Sequence, residues 1–306
     1  MLSATAAASA LAEGFARAGI ETVSLPVADG GEGTAETLAA ALGGEWRSAS
    51  VSDPLLRAVE ARFLRMADGR AVVECAEAIG LRRLRPEELD PLAASSRGLG
   101  ELMEAAVADG ATSLLVALGG SATVDGGAGL REVLPSLPVP TVALADVRSP
   151  LLGARGAARA FGPQKGATPE QVDELERRLA AMPELAPFAG LPGAGAAGGL
   201  GAALAALGAE LVPGAELVFR ALRLRERIRG AALVVTGEGV VDRTTSEGKA
   251  PAAVVALCRE AGVRCVLFGG RVVEPLAGAE LRALSGEPDR ARTDLVALGE
   301  ELGRGL

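Results

Sequence analysis

Ala231–Pro251 reads AALVVTGEGVVDRTTSEGKAP, and the reading of this stretch decides the fold. The apolar run Ala231–Val235 has the unbroken hydrophobicity of a strand buried on both faces. It is expected to end at Gly237-Glu238-Gly239 and to open into a loop carrying Glu238, Asp242 and Lys249, ahead of a helix that starts at Pro251. Buried strand, glycine loop, helix is the unit from which α/β proteins with parallel sheets are built. In such sheets, the loops that leave the strand C-termini line the ligand crevice.

Working outward, the unit recurs. Ser113–Leu118 is a buried strand followed by the loop GGSATVDGGAG, Gly119–Gly129. Glu21–Val27 reads as a short strand, Pro26–Thr34 (PVADGGEGT) as its loop and Ala35–Leu42 as a helix. Ser3 is placed to cap a helix through Ala18, ended by Gly19. Trp46–Met66 alternates as two strands around Ser52-Asp53-Pro54, and Arg70–Cys75 continues the sheet. Glu101–Ala108 is predicted helical and Thr141–Ala145 extended. Thr168-Pro169-Glu170 opens an amphipathic helix. A helix at Leu200–Leu207, a strand at Arg264–Phe268 and a charged helical tail complete the chain. The expected architecture is two α/β domains with mainly parallel sheets. Residues 53–215 form one domain, inserted into another built from 1–52 and 216–306.

Composition narrows the chemistry. The 306 residues carry a net charge of −8, which argues against a nucleic-acid surface or an anionic membrane as partner. The Ala-rich start lacks a basic leader, and Leu185–Ala209 is uncharged but crowded with glycine; a soluble cytoplasmic protein is expected. Cys75, Cys258 and Cys265 show no CxxC spacing and are expected to be reduced and buried. There is no histidine and no tyrosine, so imidazole catalysis and imidazole metal sites are excluded. Carboxylates, lysine, hydroxyls and backbone amides must do the work.

Each loop fits that inventory. Gly119 and Gly120 let amides approach an anion, Ser121 and Thr123 can donate to phosphate oxygens, and Asp125 could steer a hydroxyl or hold a cation. The plainer alternative for Asp125 is a helix cap. Asp29 and Glu32 suit a magnesium ion or substrate hydroxyls, or, for Asp29, a cap of the next helix. Lys165 in FGPQKGATP is a candidate phosphate binder or a solvated loop lysine. Gly193–Gly198 spells GxGxxG, but no strand precedes it, so dinucleotide binding does not follow, while a nucleotide-phosphate or hinge role for Gly195 and Gly198 stays open. Glu238, Asp242 and Lys249 can hold Mg²⁺ and a transferring phosphoryl group, or form an acidic surface turn.

Taken in order, PVADGGEGT, GGSATVDGGAG, DVRSPLLG, GPQKGATPE, LPGAGAAGGLGA and TGEGVVDRTTSEGKAP resemble the glycerate kinase family of bacterial type, across Pro26–Pro251. The resemblance implies two α/β domains, an active site in a cleft, and transfer of the γ-phosphoryl group of ATP to a glycerate hydroxyl, with 2-phosphoglycerate favoured as product. Carried over by position, it implicates Asp29, Glu32, Ser121, Asp125, Lys165, Glu238, Asp242 and Lys249. From their chemistry, Asp242 or Asp125 is expected to act on the acceptor hydroxyl and Glu238 to hold Mg²⁺. Lys165, Lys249 and the Gly119–Thr123 loop are expected to neutralise phosphoryl oxygens. ATP is the expected co-substrate, and a homodimer is one option.

Family members usually begin with a strand running into Ala-Pro-Asp-Ser-Phe-Lys-Gly, ahead of the segment matched here by LSATAAASAL. This chain starts after it, and a misassigned start codon is the favoured explanation. Gly129–Asp146 is also expected to be shortened by about thirty residues, a surface excursion trimmed at small entropic cost. The alternatives are a homologue that binds ligand without turnover and an NAD-dependent dehydrogenase resting on Gly193–Gly198.

Overall fold

The computed structural model describes residues 2, 4–28, 30–242, 245 and 250–306. Asp29 and Lys249 therefore lie outside the described residues. In chain order the first elements are α1 (Ala4–Arg17), α2 (Thr34–Leu42), β1 (Glu45–Ser52), β2 (Ala58–Arg65), β3 (Arg70–Glu74), α3 (Cys75–Ile79) and α4 (Arg97–Ala108). Next come β4 (Ser113–Ala117), α5 (Ala128–Val133), β5 (Thr141–Leu144), α6 (Ala157–Phe161), α7 (Pro169–Ala180), α8 (Ala196–Ala206), β6 (Glu210–Val212) and α9 (Gly214–Ala221). The chain closes with α10 (Leu224–Arg229), β7 (Leu233–Val241), α11 (Ala250–Ala261), β8 (Arg264–Val272), β9 (Glu280–Ala283) and α12 (Ala291–Arg304).

The chain divides into a central unit, Asp29–Leu217, and a terminal unit made of Met1–Ala28 and Val218–Leu306. The first boundary differs from the expected residue 52. β1 pairs with β2 along its whole length, Glu45 opposite Arg65 through Ser52 opposite Ala58, so it cannot leave the sheet to which β2 belongs.

The central unit holds a six-stranded sheet in the order β1-β2-β3-β4-β5-β6. β1 to β3 run antiparallel to one another, and β3 to β6 are parallel. β3 and β4 are buried almost throughout, which explains their continuous apolar runs. On α4, Leu99, Leu102, Met103 and Ala106 recur at helical spacing and are fully buried beside the sheet residues Val73, Leu114 and Val116. α7 begins as read: Pro169 is its first residue, Thr168 Oγ1 accepts from Gln171 N–H at 3.3 Å, and Val172, Leu175 and Leu179 are buried.

The terminal unit holds a parallel sheet in the order β7-β8-β9. α1 and α12 pack there, with Leu11, Phe15, Leu295, Leu298 and Leu302 buried beside Val266 and Phe268. Two expectations fail here. Residues 21–27 are not a strand: they have no backbone partner in either sheet, and Val23 is 71% exposed. Residues 21–25 and Val27 line an apolar cavity of about 670 Å³ together with Leu11, Phe15, Ile228 and Val235. The second failure is the end of β7. It runs on through Thr236-Gly237-Glu238-Gly239 to Val241, because Glu238 pairs opposite Gly269 and Val241 opposite Val272. Among the described residues, no helix is long and apolar enough to cross a membrane.

Candidate active site

The central unit brings two of the glycine loops together. A Cβ on Gly119 would lie 2.4 Å from the Gly31 Cα, so the backbones of the Gly30–Thr34 and Gly119–Gly129 loops approach as only glycine allows. Gly31, Gly33 and Gly119 are half-buried, while Glu32 and Gly120 are exposed. Glu32 pairs with Arg82 at 2.5 Å, both side chains open to solvent. This rim of accessible backbone is the geometry by which amides meet an anion.

A buried polar layer lies under the rim. Lys165, the last residue of a 3-10 turn at Pro163–Lys165, is 3% exposed. Its ammonium donates to Ser121 Oγ at 3.0 Å and to the Thr123 carbonyl at 2.8 Å. Burial lowers its pKa to about 8, against the opposing fields of Cys75 and Asp125. Ser121 is 2% exposed and Thr123 fully buried; the Thr123 hydroxyl has no hydrogen-bond partner among the described residues. The loop is further pinned by backbone bonds from Leu81 N–H to Gly120 O and from Ala122 N–H to Ile79 O. The Cys75 thiol donates to Gly119 O at 3.0 Å, and burial pushes its pKa up to about 12. Lys165 is thus neither a solvated loop lysine nor a side chain reaching into solvent. It clamps the Ser121–Thr123 turn from below.

Asp125 takes the capping alternative. Its Oδ2 accepts from Ser96 N–H at 2.8 Å, Ser96 Oγ–H at 2.7 Å and Gly129 N–H at 3.2 Å, and its Oδ1 accepts from Gly127 N–H at 3.1 Å. Four donors tie the carboxylate to the starts of α4 and α5, leaving it engaged within the fold.

Gly195 and Gly198 are packing glycines. Gly195 N–H donates to Ser149 O at 2.9 Å, and a Cβ on Gly198, whose φ is +72°, would meet the Thr123 carbonyl at 2.0 Å. Gly198 therefore seats the Leu191–Ala202 segment against the Gly119–Gly129 loop. What precedes the segment is a 3-10 turn at Ala186–Phe188 and not a strand, so the dinucleotide reading has no structural support.

In the terminal unit, Glu238 stands on β7 and Asp242 follows that strand directly. Thr245 Oγ1 donates to Glu238 Oε1 at 2.5 Å and accepts from Asp242 N–H at 3.0 Å, so one hydroxyl ties the two acidic positions together. Two oxygen-bearing carboxylates suit magnesium, which keeps most of its shell for water and substrate phosphates. Among the described residues, no three of His, Cys, Asp or Glu gather as a metal cage.

Sequence reasoning missed Glu74, Ser96 and Thr245. Glu74 had a signal: a carboxylate straight after the buried apolar run Ala71-Val72-Val73. Ser96 had none, because it meets Asp125 only through tertiary packing.

The sequence model of the glycerate kinase family matches residues 1–136 and 135–285. This chain belongs to the glycerate kinase family. Membership places it among the kinases. The two matched segments meet inside Gly129–Asp146, where shortening is expected. The chain is 40% identical to glycerate 2-kinase of Escherichia coli K12, over 85% of this chain and 79% of that protein. It is 36% identical to a glycerate kinase of Bacillus subtilis 168, over 89% of this chain and 82% of that one. Its fold resembles the crystal structure of a glycerate kinase 2 candidate from Salmonella typhimurium LT2, with a TM-score of 0.82 at 31% identity, covering 99% of this chain and 94% of the other.

Proposed function

We propose that this member of the glycerate kinase family transfers the γ-phosphoryl group of ATP to a hydroxyl of glycerate, giving 2-phosphoglycerate and ADP. The observation that carries the reading is the glycine rim over a buried ammonium. Among the described residues Lys165 has no ion-paired carboxylate; it lies under a loop whose backbone is accessible at Gly119 and Gly120. A positive charge kept in a low-dielectric layer beneath accessible amides suits a multiply charged phosphate.

The roles follow from the chemistry of each group. Amides of Gly31, Glu32, Gly119 and Gly120 hold phosphoryl oxygens, while Lys165 fixes Ser121 and Thr123 and offsets charge from below. Asp242 accepts the proton of the glycerate hydroxyl as that oxygen attacks the γ-phosphorus. The bond from phosphorus to the β,γ-bridging oxygen breaks, and ADP departs with the electron pair. With no histidine in the chain, a carboxylate is the natural base. Glu238, with Asp242 beside it, would hold Mg²⁺, which when bound shields the nucleotide phosphates. Asp125 ties the starts of α4 and α5 and takes no direct part in the transfer. Lys249 and Asp29 keep the phosphate and substrate roles read for them from the sequence. The test is ADP release, coupled to a second enzyme, with glycerate and a panel of hydroxy acids. Saturable release with glycerate supports the reading, and equal rates with and without glycerate overturn it.

A further inference from the structure

Under the rim lies one buried charged side chain for which the proposed chemistry has no use. Glu74 ends β3 after three apolar residues and is 6% exposed. Its Oε1 accepts from Ala35 N–H at 2.7 Å and its Oε2 from Gly33 N–H at 3.3 Å. α2 has no cap of its own, since the residue before it is Gly33 with φ +90°. The next residue, Cys75, holds the other loop through Gly119 O. Two adjacent residues at the end of one strand therefore grip the two loops whose backbones touch at Gly31 and Gly119.

We propose that Glu74 is a positioning residue of the transfer reaction: its carboxylate gathers the Gly33 and Ala35 amides and so fixes the Gly31–Gly33 backbone against Gly119–Gly120. The inference rests on the reading under Proposed function. A helix that needed only a cap would carry Ser, Thr or Asp at position 33, next to water. A buried carboxylate is the costlier solution, and its advantage is that one group accepts from two amides at once. Burial raises the Glu74 pKa to about 6, and the charges of Glu77 on α3 and Glu36 on α2 push the same way. Arg62 of β2 lies close enough to be felt in return, and the Cys75 thiol is its buried neighbour. Protonation turns one acceptor oxygen into a donor, so the grip on one amide is lost below pH about 6.

Glu74→Gln imitates that state permanently, because its amide NH₂ would face an N–H donor. At pH 7.5 the variant is expected to lose kcat on the order of tenfold to a hundredfold. Its Tm should stay near that of the wild type, because removing the buried charge offsets the donor set against an N–H. The wild-type rate should fall as pH drops through about 6, and the variant's profile should lack that limb. Wild-type kcat in the variant, or a lower Tm with loss of rate only in proportion to unfolding, would overturn the proposal. Absence of glycerate-dependent ADP release in the wild type would sink the function reading instead. Amide exchange then decides this inference alone: Gly33 and Ala35 must exchange faster in Glu74→Gln, and unchanged protection there refutes it.

Discussion

Lys165→Met removes the buried ammonium while keeping most of the side-chain volume, and its effect can be worked out from the structure. Burial lowers the lysine pKa from 10.5 to about 8. That drop corresponds to a penalty of about 3 kcal/mol on the charged form in the folded state. The sign follows from linkage. Between pH about 8 and 10.5 the unfolded chain binds the proton and the folded chain does not, so stability rises with pH across that window. Below pH about 8 the penalty is present in full. Methionine never carries it, so wild-type stability minus variant stability should climb by about 3 kcal/mol from pH 8 towards 10.5. At pH 7 the variant also loses the bonds to Ser121 Oγ and the Thr123 carbonyl, and a stranded buried carbonyl costs about 1–3 kcal/mol. The two effects oppose each other, leaving stability near wild type while the proposed activity falls on the order of a hundredfold or more.

The chain suits the assay. Its single tryptophan, Trp46, lies on β1 of the central unit and reports urea unfolding of that unit. Only two lysines, no tyrosine and no histidine are present, so few other groups titrate above pH 8. Cys75 works in the opposite direction above pH 9, its thiol being pushed up to about 12, but it is common to both proteins and largely cancels in the difference. A difference curve that stays flat from pH 8 to 10, or one that falls, would refute the reasoning.

Four further outcomes follow from the same geometry. Gly198→Ala should destabilise the central unit by at least about 2 kcal/mol, since a left-handed alanine is strained and its methyl would meet the Thr123 carbonyl; Trp46 fluorescence on heating measures it. Asp125→Asn should cost about 2–3 kcal/mol by turning one acceptor of the four-donor tie into a donor, yet leave kcat within about threefold at 25 °C; a collapse of kcat in the folded variant would return Asp125 to the chemistry. Asp242→Asn should lower kcat by about 10²–10⁴ with little change in the KM for glycerate, whereas Glu238→Gln should raise the Mg²⁺ concentration needed for half-maximal rate.

Much of the fold could be read from local pattern. The buried parallel strands β3, β4 and β8 declare themselves as apolar runs, and α7 announces its start with Thr168-Pro169. Glu21–Val27 misled because its alternation fits a strand, but a strand also needs a neighbour with unpaired backbone, which no local pattern reports. Gly237-Glu238-Gly239 misled the other way: glycine reads as a loop, yet pairing with β8 keeps the segment extended. Glycine pairs marked the loops at Gly30–Gly33 and Gly119–Gly127. They could not say that Lys165 turns inward, that Asp125 is consumed by Ser96 and two glycine amides, or that Glu74 reaches across 41 residues to Gly33. Those outcomes depend on which buried donors lack partners, and that is decided only when the elements pack.

The most direct test of the central claim is to incubate the purified protein with ATP, Mg²⁺ and glycerate and follow phosphorus by NMR. ADP and a new phosphomonoester assigned to 2-phosphoglycerate should appear in equal amounts, both requiring glycerate. ADP without any glycerate-dependent phosphomonoester, or no turnover in a folded protein that binds ATP, would contradict it.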